Sequence, residues 1–230
     1  MRIAITRPRD DGERTAAALR ERGHIPLVAP LLRIEPVKAD LRPHWGGVII
    51  TSANAANAIA THPARGALIK LPLFAVGRRS ADAARQTGFS DISTADGDVH
   101  DLLRMLAARR APAPLLYLAG EDRAADLVGE LAAAGFAAEL TVVYRAVAVA
   151  FPPQLIEALR RGEVDAVLHY SRRSAEAYLG GAERAGVAAQ ALDVRHFCLS
   201  LQIAAPLMAA AAAKVVVAPH PDEAALIASL

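Results

Sequence analysis

Leu115 to Arg145, LLYLAGEDRAADLVGELAAAGFAAELTVVYR, is the stretch on which the fold turns. Leu115 to Ala119 is a short apolar run that stops at Gly120, as a buried strand does at its end. After the polar step Gly120-Glu121-Asp122-Arg123, the residues Ala124, Leu127, Val128, Leu131 and Ala134 recur at spacings of three and four. That period predicts a helix with one buried face, and Gly135 supplies the residue that ends it. A second apolar run, Leu140 to Val143, leads into Tyr144-Arg145. Strand, turn, helix, strand puts the polar turn at the carboxyl end of the first strand, the edge where open α/β sheets bind ligands.

The same plan recurs along the chain. Arg2 to Thr6 reads as a buried strand that ends in Arg7-Pro8-Arg9-Asp10, and a helix follows with Leu19 standing as Leu131 does and Gly23 as Gly135 does. Val48 to Thr51 enters a helix through Ser52-Ala53-Asn54, and Ala166 to Tyr170 enters one through Ser171-Arg172-Arg173. Leu73 to Val76 meets Gly77-Arg78-Arg79-Ser80, and its counterpart Phe197 to Leu199 meets Ser200-Leu201-Gln202-Ile203. Short strands, Ile92 to Thr94 and Val215 to Ala218, follow. The alanine-rich tract Ala204 to Ala213 reads as a packed helix.

Between the opening unit and the longer series of each half lies an extended, β-branched segment: Leu31 to Lys38 and Thr141 to Ala150. If these two pair as a two-stranded linker, over 34–38 and 142–147, the middle of the chain (39–141) becomes one α/β domain. The ends (1–33 and 148–230) then combine into the other, and the two doubly wound, parallel-sheet domains face each other across a cleft. The alternative is a single sheet of about ten strands, near the upper limit for a twisted open sheet.

Composition narrows the function. The 230 residues are 53% apolar and 22% charged, ordinary for a globular protein, and a net charge of +2 is too small for a nucleic-acid partner. All of the 26 basic residues except Lys38, Lys70 and Lys214 are arginine, the residue that grips carboxylates through paired hydrogen bonds. The single cysteine, Cys198, excludes an internal disulfide and points to a reducing cytoplasm. The start MRIAITRP is too short and too soon polar for a signal peptide, and no run approaches the roughly 20 apolar residues of a membrane span. The seven histidines show no metal-ligand spacing. His220, between Pro219 and Pro221, is the one placed to lie near a cleft or in a surface loop.

The chemistry-bearing turns carry two readings each. Gly77-Arg78-Arg79-Ser80 offers free helix-start amides and two guanidinium groups to an anion, or a capping serine with solvated arginines. It is no dinucleotide fingerprint, with only one glycine. Ser52 and Ser171 are helix caps or amide-and-hydroxyl cradles for a carboxylate; no histidine or acid is placed to make either a nucleophile. Tyr144 can donate a proton through its hydroxyl, or simply anchor the linker by its ring.

Taken together, the chain resembles the uroporphyrinogen-III synthase family. The resemblance rests on Ile5-Thr6-Arg7-Pro8, Ile50-Thr51-Ser52-Ala53-Asn54-Ala55, Ala75-Val76-Gly77 with Ser80-Ala81, and Gly88-Phe89. It continues with Leu118-Ala119-Gly120-Glu121-Asp122-Arg123, Val143-Tyr144-Arg145, Tyr170-Ser171, and Val217-Ala218-Pro219 with Pro221. It implies two α/β domains on a two-stranded linker, no cofactor or metal, and a monomer. It also implies a hydro-lyase that closes hydroxymethylbilane, a linear tetrapyrrole with eight carboxylates, into a macrocycle with its last ring inverted through a spiro intermediate. Transient handover of that substrate from hydroxymethylbilane synthase goes with it.

Under that resemblance Tyr144 assists departure of the substrate hydroxyl. The substrate carboxylates fall to Arg7, Ser52, Ala53, Asn54, Gly77, Arg78, Arg79, Ser80, Gly120, Arg123, Ser171, Arg172 and Gln202. One departure stands out. Where the second half of the family has a glycine and a threonine before alanine, this chain has Ser200 and Ile203 before Ala204, and isoleucine cannot hydrogen-bond a carboxylate. A non-catalytic tetrapyrrole-binding or sensing domain is therefore the alternative. A periplasmic-type binding protein is disfavoured by the lack of an export signal.

Overall fold

A computed structural model describes residues 1–41, 44–95, 99–123 and 126–230. In chain order β1 (Arg2–Ile5), α1 (Arg9–Glu21), β2 (Ile25–Val28) and β3 (Leu32–Pro36) come first. Then follow β4 (Gly47–Ile50), α2 (Ala53–Ile59), α3 (Arg65–Leu68), β5 (Leu73–Val76), α4 (Arg78–Thr87), β6 (Ile92–Ala95) and α5 (Val99–Ala108). The stretch from which the fold was read forms β7 (Leu115–Gly120), α6 (Leu127–Ala133) and β8 (Ala138–Ala148). The remainder is α7 (Pro153–Arg160), β9 (Ala166–His169), α8 (Arg172–Arg184), α9 (Ala188–Asp193), β10 (Arg195–Cys198), α10 (Leu201–Ala209), β11 (Lys214–Val217) and α11 (Glu223–Ala228).

The strands form two sheets rather than one, in the orders β11-β10-β9-β1-β2 and β3-β8-β7-β4-β5-β6. Every pairing from β11 to β2 and from β8 to β6 is parallel. The central strands β4, β7 and β9 are buried at every residue, because helices cover both faces of such a sheet. Their sequences are accordingly apolar runs, broken only by His169 at the end of β9, while the edge strand β11 alternates exposed and half-buried. Alternate residues feed separate cores: Val48, Ile50, Leu116 and Leu118 on one face, Ile49, Leu115, Tyr117 and Ala119 on the other. Each fully buried Leu or Ile contributes about 1.5–3 kcal/mol.

The chain divides into two compact units, Met1–Arg33 with Val147–Leu230, and Ile34–Ala146. Without β3, the second sheet runs β8-β7-β4-β5-β6 and repeats β2-β1-β9-β10-β11 of the first. The internal repeat of the sequence is thus spatial, with its parts exchanged: the opening strands of each half join the later strands of the other. In each sheet the connections run one way from β1 or β7 and the other way from β9 or β4, which makes the β1/β9 and β7/β4 boundaries topological switch points.

β3 pairs with β8. Val37 N–H donates to Val143 O at 2.9 Å and Val149 N–H to Leu31 O at 3.0 Å, partner numbers that fall as the others rise, so the two strands are antiparallel. β8 is one strand of 11 residues, longer at its start than the extended segment read from Thr141. α6 begins at Leu127, and Ala124 lies outside the described residues. The alanine tract is only partly helical: α10 starts early, at Leu201, and ends at Ala209, with Ala211 at φ 59° ahead of β11.

Candidate functional site

Parallel pairing brings the polar turns to the carboxyl edge of each sheet. In the unit 34–146 the order along that edge is Tyr144 on β8, Gly120 to Arg123 after β7, Ser52 to Asn54 after β4, and Gly77 to Ser80 after β5. A β-bulge makes the first of these neighbours. Ala119 pairs with Val142 but Gly120 with Tyr144, so Val143 is the extra residue and the bulge re-aims the tyrosine. The Tyr144 ring then lies against the Gly120 α-carbon: a Cβ there would sit 2.6 Å from Tyr144 Cζ. Glycine is required for that approach. Arg123, exposed, folds back to donate to the carbonyls of Gly120 (2.9 Å) and Glu121 (3.1 Å).

Ser52 caps α2, its hydroxyl accepting from Asn54 N–H at 3.2 Å, and Ala53 is buried behind it. Gly77 has φ 79°, a conformation L residues rarely adopt, and the space beside its α-carbon is open. Arg78 and Arg79 are exposed on the first turn of α4, and Ser80 is buried. Sequence reasoning passed over Thr51 and Tyr117, whose hydroxyls lie 3.0 Å apart where β4 and β7 adjoin.

In the other unit the turns after β1, β9 and β10 carry Arg7, Ser171 with Arg172, and Gln202. Ser171 and Ser174 form a capping box, with Ser174 N–H donating to Ser171 Oγ (3.1 Å) and Ser171 N–H to Ser174 Oγ (3.3 Å). Of the two readings of Ser171, cap and cradle, the capping box engages its hydroxyl as the cap of α8. Arg172 is ion-paired with Glu176 at 2.8 Å. Ser200 makes no side-chain cap bond, and Gln202 beside it is exposed.

Ile203 is half-buried and packs on the core that contains Ala204 and Leu207. Its apolar character thus follows from packing. Ile203→Thr is expected to lower the unfolding free energy by about 1–2 kcal/mol in urea denaturation. No loss would return the position to the substrate side.

Arg7 is held by protein groups. Its Nη1 donates to Glu223 Oε1 (2.9 Å) and Thr15 Oγ1 (3.1 Å), and its Nη2 lies 3.7 Å from Asp11. Its guanidinium carbon stands 4.0 Å above the Tyr170 ring. Glu223 Oε1 also accepts from Tyr170 Oη at 2.9 Å and from Thr15 Oγ1. Burial, opposed by the Thr15 hydrogen bond and aided by the Glu223 charge, pushes the Tyr170 phenol upward, so it is a neutral donor. No spacing in the sequence links Arg7 to Glu223, and Arg7 reaches a carboxylate from outside only when Glu223 yields.

Behind this edge, His169 Nε2 and His196 Nδ1 lie 3.1 Å apart, both fully buried, with Tyr178 edge-on to each. Burial drives both imidazoles down, His169 far below the usual 6.5 with the His196 charge adding, and His196 to about 4 with the Ala191 carbonyl opposing. His220 is exposed. Among the described residues no three His, Cys, Asp or Glu side chains converge as a metal site, and no helix is long and apolar enough to cross a membrane.

Two parallel α/β units of equivalent strand order, joined through an antiparallel strand pair, with arginine and hydroxyl turns along each carboxyl edge, define a doubly wound two-unit α/β protein. The family profile described as uroporphyrinogen-III synthase HemD matches residues 13–228. The chain belongs to the uroporphyrinogen-III synthase family. Its fold is similar to that of the Helicobacter pylori uroporphyrinogen-III synthetase, at TM-score 0.68 and 17% identity, covering 100% of this chain and 98% of that one. A mutant uroporphyrinogen III synthase from the extremely thermophilic bacterium Thermus thermophilus aligns at TM-score 0.50 and 19% identity, covering 100% and 96%. Among curated proteins no sequence matches the chain.

Proposed function

We propose that the protein is a cyclising hydro-lyase that converts hydroxymethylbilane to uroporphyrinogen III in tetrapyrrole biosynthesis. The observation that carries this reading is the family match over residues 13–228. The residues ahead of β8's end support it, since Tyr144 stands at a carboxyl edge beside a glycine that fits only its ring. In the proposed reaction the terminal C–O bond breaks and the hydroxyl leaves as water, taking the Tyr144 phenol proton. The resulting protonated azafulvene, a cation balanced by the phenolate, is attacked by the substituted carbon of the last ring, giving a spiro intermediate that fragments and recloses with that ring inverted. The proton lost from the ring carbon on reclosure restores the phenol.

The substrate alone closes without inversion, so the protein's task is to hold a flexible polyanion in one geometry, which is positioning more than acid-base work. In this reading the carboxylates meet Arg78, Arg79, Arg123 and Gln202, with the backbone of the turns at Ser52, Gly77 and Ser171. The ends of the chain (1–33, 148–230) and its middle (39–141) act as two domains on the 34–38 and 142–147 linker. The enzyme works as a cytoplasmic monomer that receives its substrate from hydroxymethylbilane synthase. The family match over residues 13–228 favours this reading over a non-catalytic tetrapyrrole-binding domain.

Purified protein given fresh hydroxymethylbilane is expected to yield the type III isomer after oxidation and chromatographic separation; type I alone would end the proposal. Tyr144→Phe is expected to slow turnover about 10- to 100-fold, with the melting temperature unchanged within about 2 °C. Unaltered kinetics would leave Tyr144 as an anchor only.

A further inference from the structure

We infer that Arg7, Thr15 and Tyr170 form a carboxylate-binding subsite whose occupant in this structure is the protein's own Glu223. Three donors from three elements meet on one oxygen: Arg7 Nη1 from the turn after β1, Thr15 Oγ1 from α1 and Tyr170 Oη from the end of β9 all reach Glu223 Oε1. A guanidinium and two hydroxyls converging on one oxygen make a receptor for a carboxylate, because a charged acceptor roughly doubles the strength of each bond. The place is the β1/β9 switch point at the carboxyl edge, where a ligand of such a sheet sits.

Receptor and occupant differ in how firmly they are held. Thr15 is fully buried, and the Asp11 carbonyl at 3.1 Å is the alternative acceptor for its one hydroxyl proton when Glu223 is away. The Arg7 side chain is 15% exposed, lies over the Tyr170 ring and keeps its Nε buried without a partner among the described residues. Glu223, by contrast, is 42% exposed and is the first residue of the six-residue helix α11. Glu223 has solvent beside it, so rotation of its side chain is the movement that uncovers the three donors. An incoming carboxylate therefore exchanges with Glu223 one for one, and no buried charge is left unpaired.

The class of ligand is a carboxylate arm of an acid-rich small molecule, and in that respect the subsite rests on the proposed function. Glu223 lowers the apparent affinity by the fraction of time it fills the site, as any competing internal state does. Together with Asp11, 3.7 Å from Nη2, it keeps Arg7 neutralised until a ligand arrives.

The test uses the full chain, with benzenehexacarboxylate as an unreactive probe in calorimetry and hydroxymethylbilane in steady-state kinetics. Glu223→Gln is expected to tighten the probe by about 5-fold or more and to lower KM in the same direction. Adding Arg7→Gln to that variant is expected to abolish the gain. Glu223→Asp, which withdraws the carboxylate by one methylene, supplies the same test with a smaller gain if the glutamine variant does not fold. Probe affinity that stays equal or weakens in the folded variants would overturn the inference and make Glu223 a fixed brace. Because the wild-type isomer assay is separate, a protein that forms type III product while its variants bind the probe unchanged loses the subsite and keeps the function.

Discussion

Gly120→Ala is expected to lose most of its turnover, more than Tyr144→Phe loses, together with about 1–3 kcal/mol of stability. The added Cβ would stand 2.6 Å from Tyr144 Cζ, 2.8 Å from Cε2 and 2.9 Å from Oη, against a normal carbon separation of about 3.5–4.0 Å. A tyrosine ring is rigid, so the contact cannot be relieved by bending its far end. The bulge at Val143 fixes the backbone from which it projects, and Val143 itself is buried. The ring must swing away from the edge, carrying its hydroxyl with it, and must give up its packing against the core of the 34–146 unit.

The phenylalanine variant keeps the ring in place and removes only the oxygen, so comparing the two separates loss of the proton from loss of position. A double-mutant cycle completes the measurement: in a Tyr144→Ala background the stability cost of Gly120→Ala should vanish, since the clash has no second partner. Urea denaturation and turnover of the four proteins give the answer. If Gly120→Ala alone is as stable and as active as the parent, the ring does not rest on this glycine in solution.

That relation shows what the sequence could and could not disclose. β4, β7 and β9 up to His169 announce themselves as apolar runs because both their faces are covered. The turns after them were legible because strand must become helix within a few polar residues, and Ser52 and Ser171 are capping residue types in capping positions. The chemistry at those turns depends on register, which local pattern does not carry. Tyr144 is next to Gly120 only because one residue bulges, Arg7 meets Tyr170 because β1 lies beside β9, and it meets Glu223 because α11 packs on the core that contains Ile3 and Ile5. Ser171 carried two readings, cap and ligand cradle, because serine is short and polar; Ser174, three residues on, completes a capping box with it. Ile203 looked like a damaged binding residue for a similar reason: position in a motif was legible, and the direction the side chain faces was not.

The histidine pair was equally hidden, and its expected consequence is acid lability of the 1–33 and 147–230 unit. Phe197 pairs with Leu168 and Cys198 with His169, so His196, two residues before Cys198, falls diagonally beside His169 on the same sheet face. Neither ring is reached by solvent. One donates to the other, the outer nitrogens His169 Nδ1 and His196 Nε2 find no well-formed hydrogen bond among the described residues, and a proton placed on either ring would be a buried, unpaired charge. Both pKa values are accordingly held below the unfolded 6.5. Between that value and the folded one the unfolded chain binds more protons, so stability is complete above pH 6.5 and falls as the pH drops toward 4. The shift of His196 to about 4 alone removes about 3 kcal/mol over that window, with His169 adding in the same direction. Asp165, whose carboxyl the Arg2 hydrogen bonds hold below the usual 3.8, contributes only at more acid pH, whereas His24, lowered by burial and by the charges of the N-terminus and Arg22, adds a slope in the same window that loss of the pair leaves in place. A His169→Leu, His196→Leu double variant replaces both partners together, leaving no orphaned donor, and is expected to be near neutral at about pH 7 while flattening the slope between pH 6.5 and 4. Urea midpoints measured across that range decide it: a double variant that loses stability with acid as steeply as the parent would place the sensitive group elsewhere.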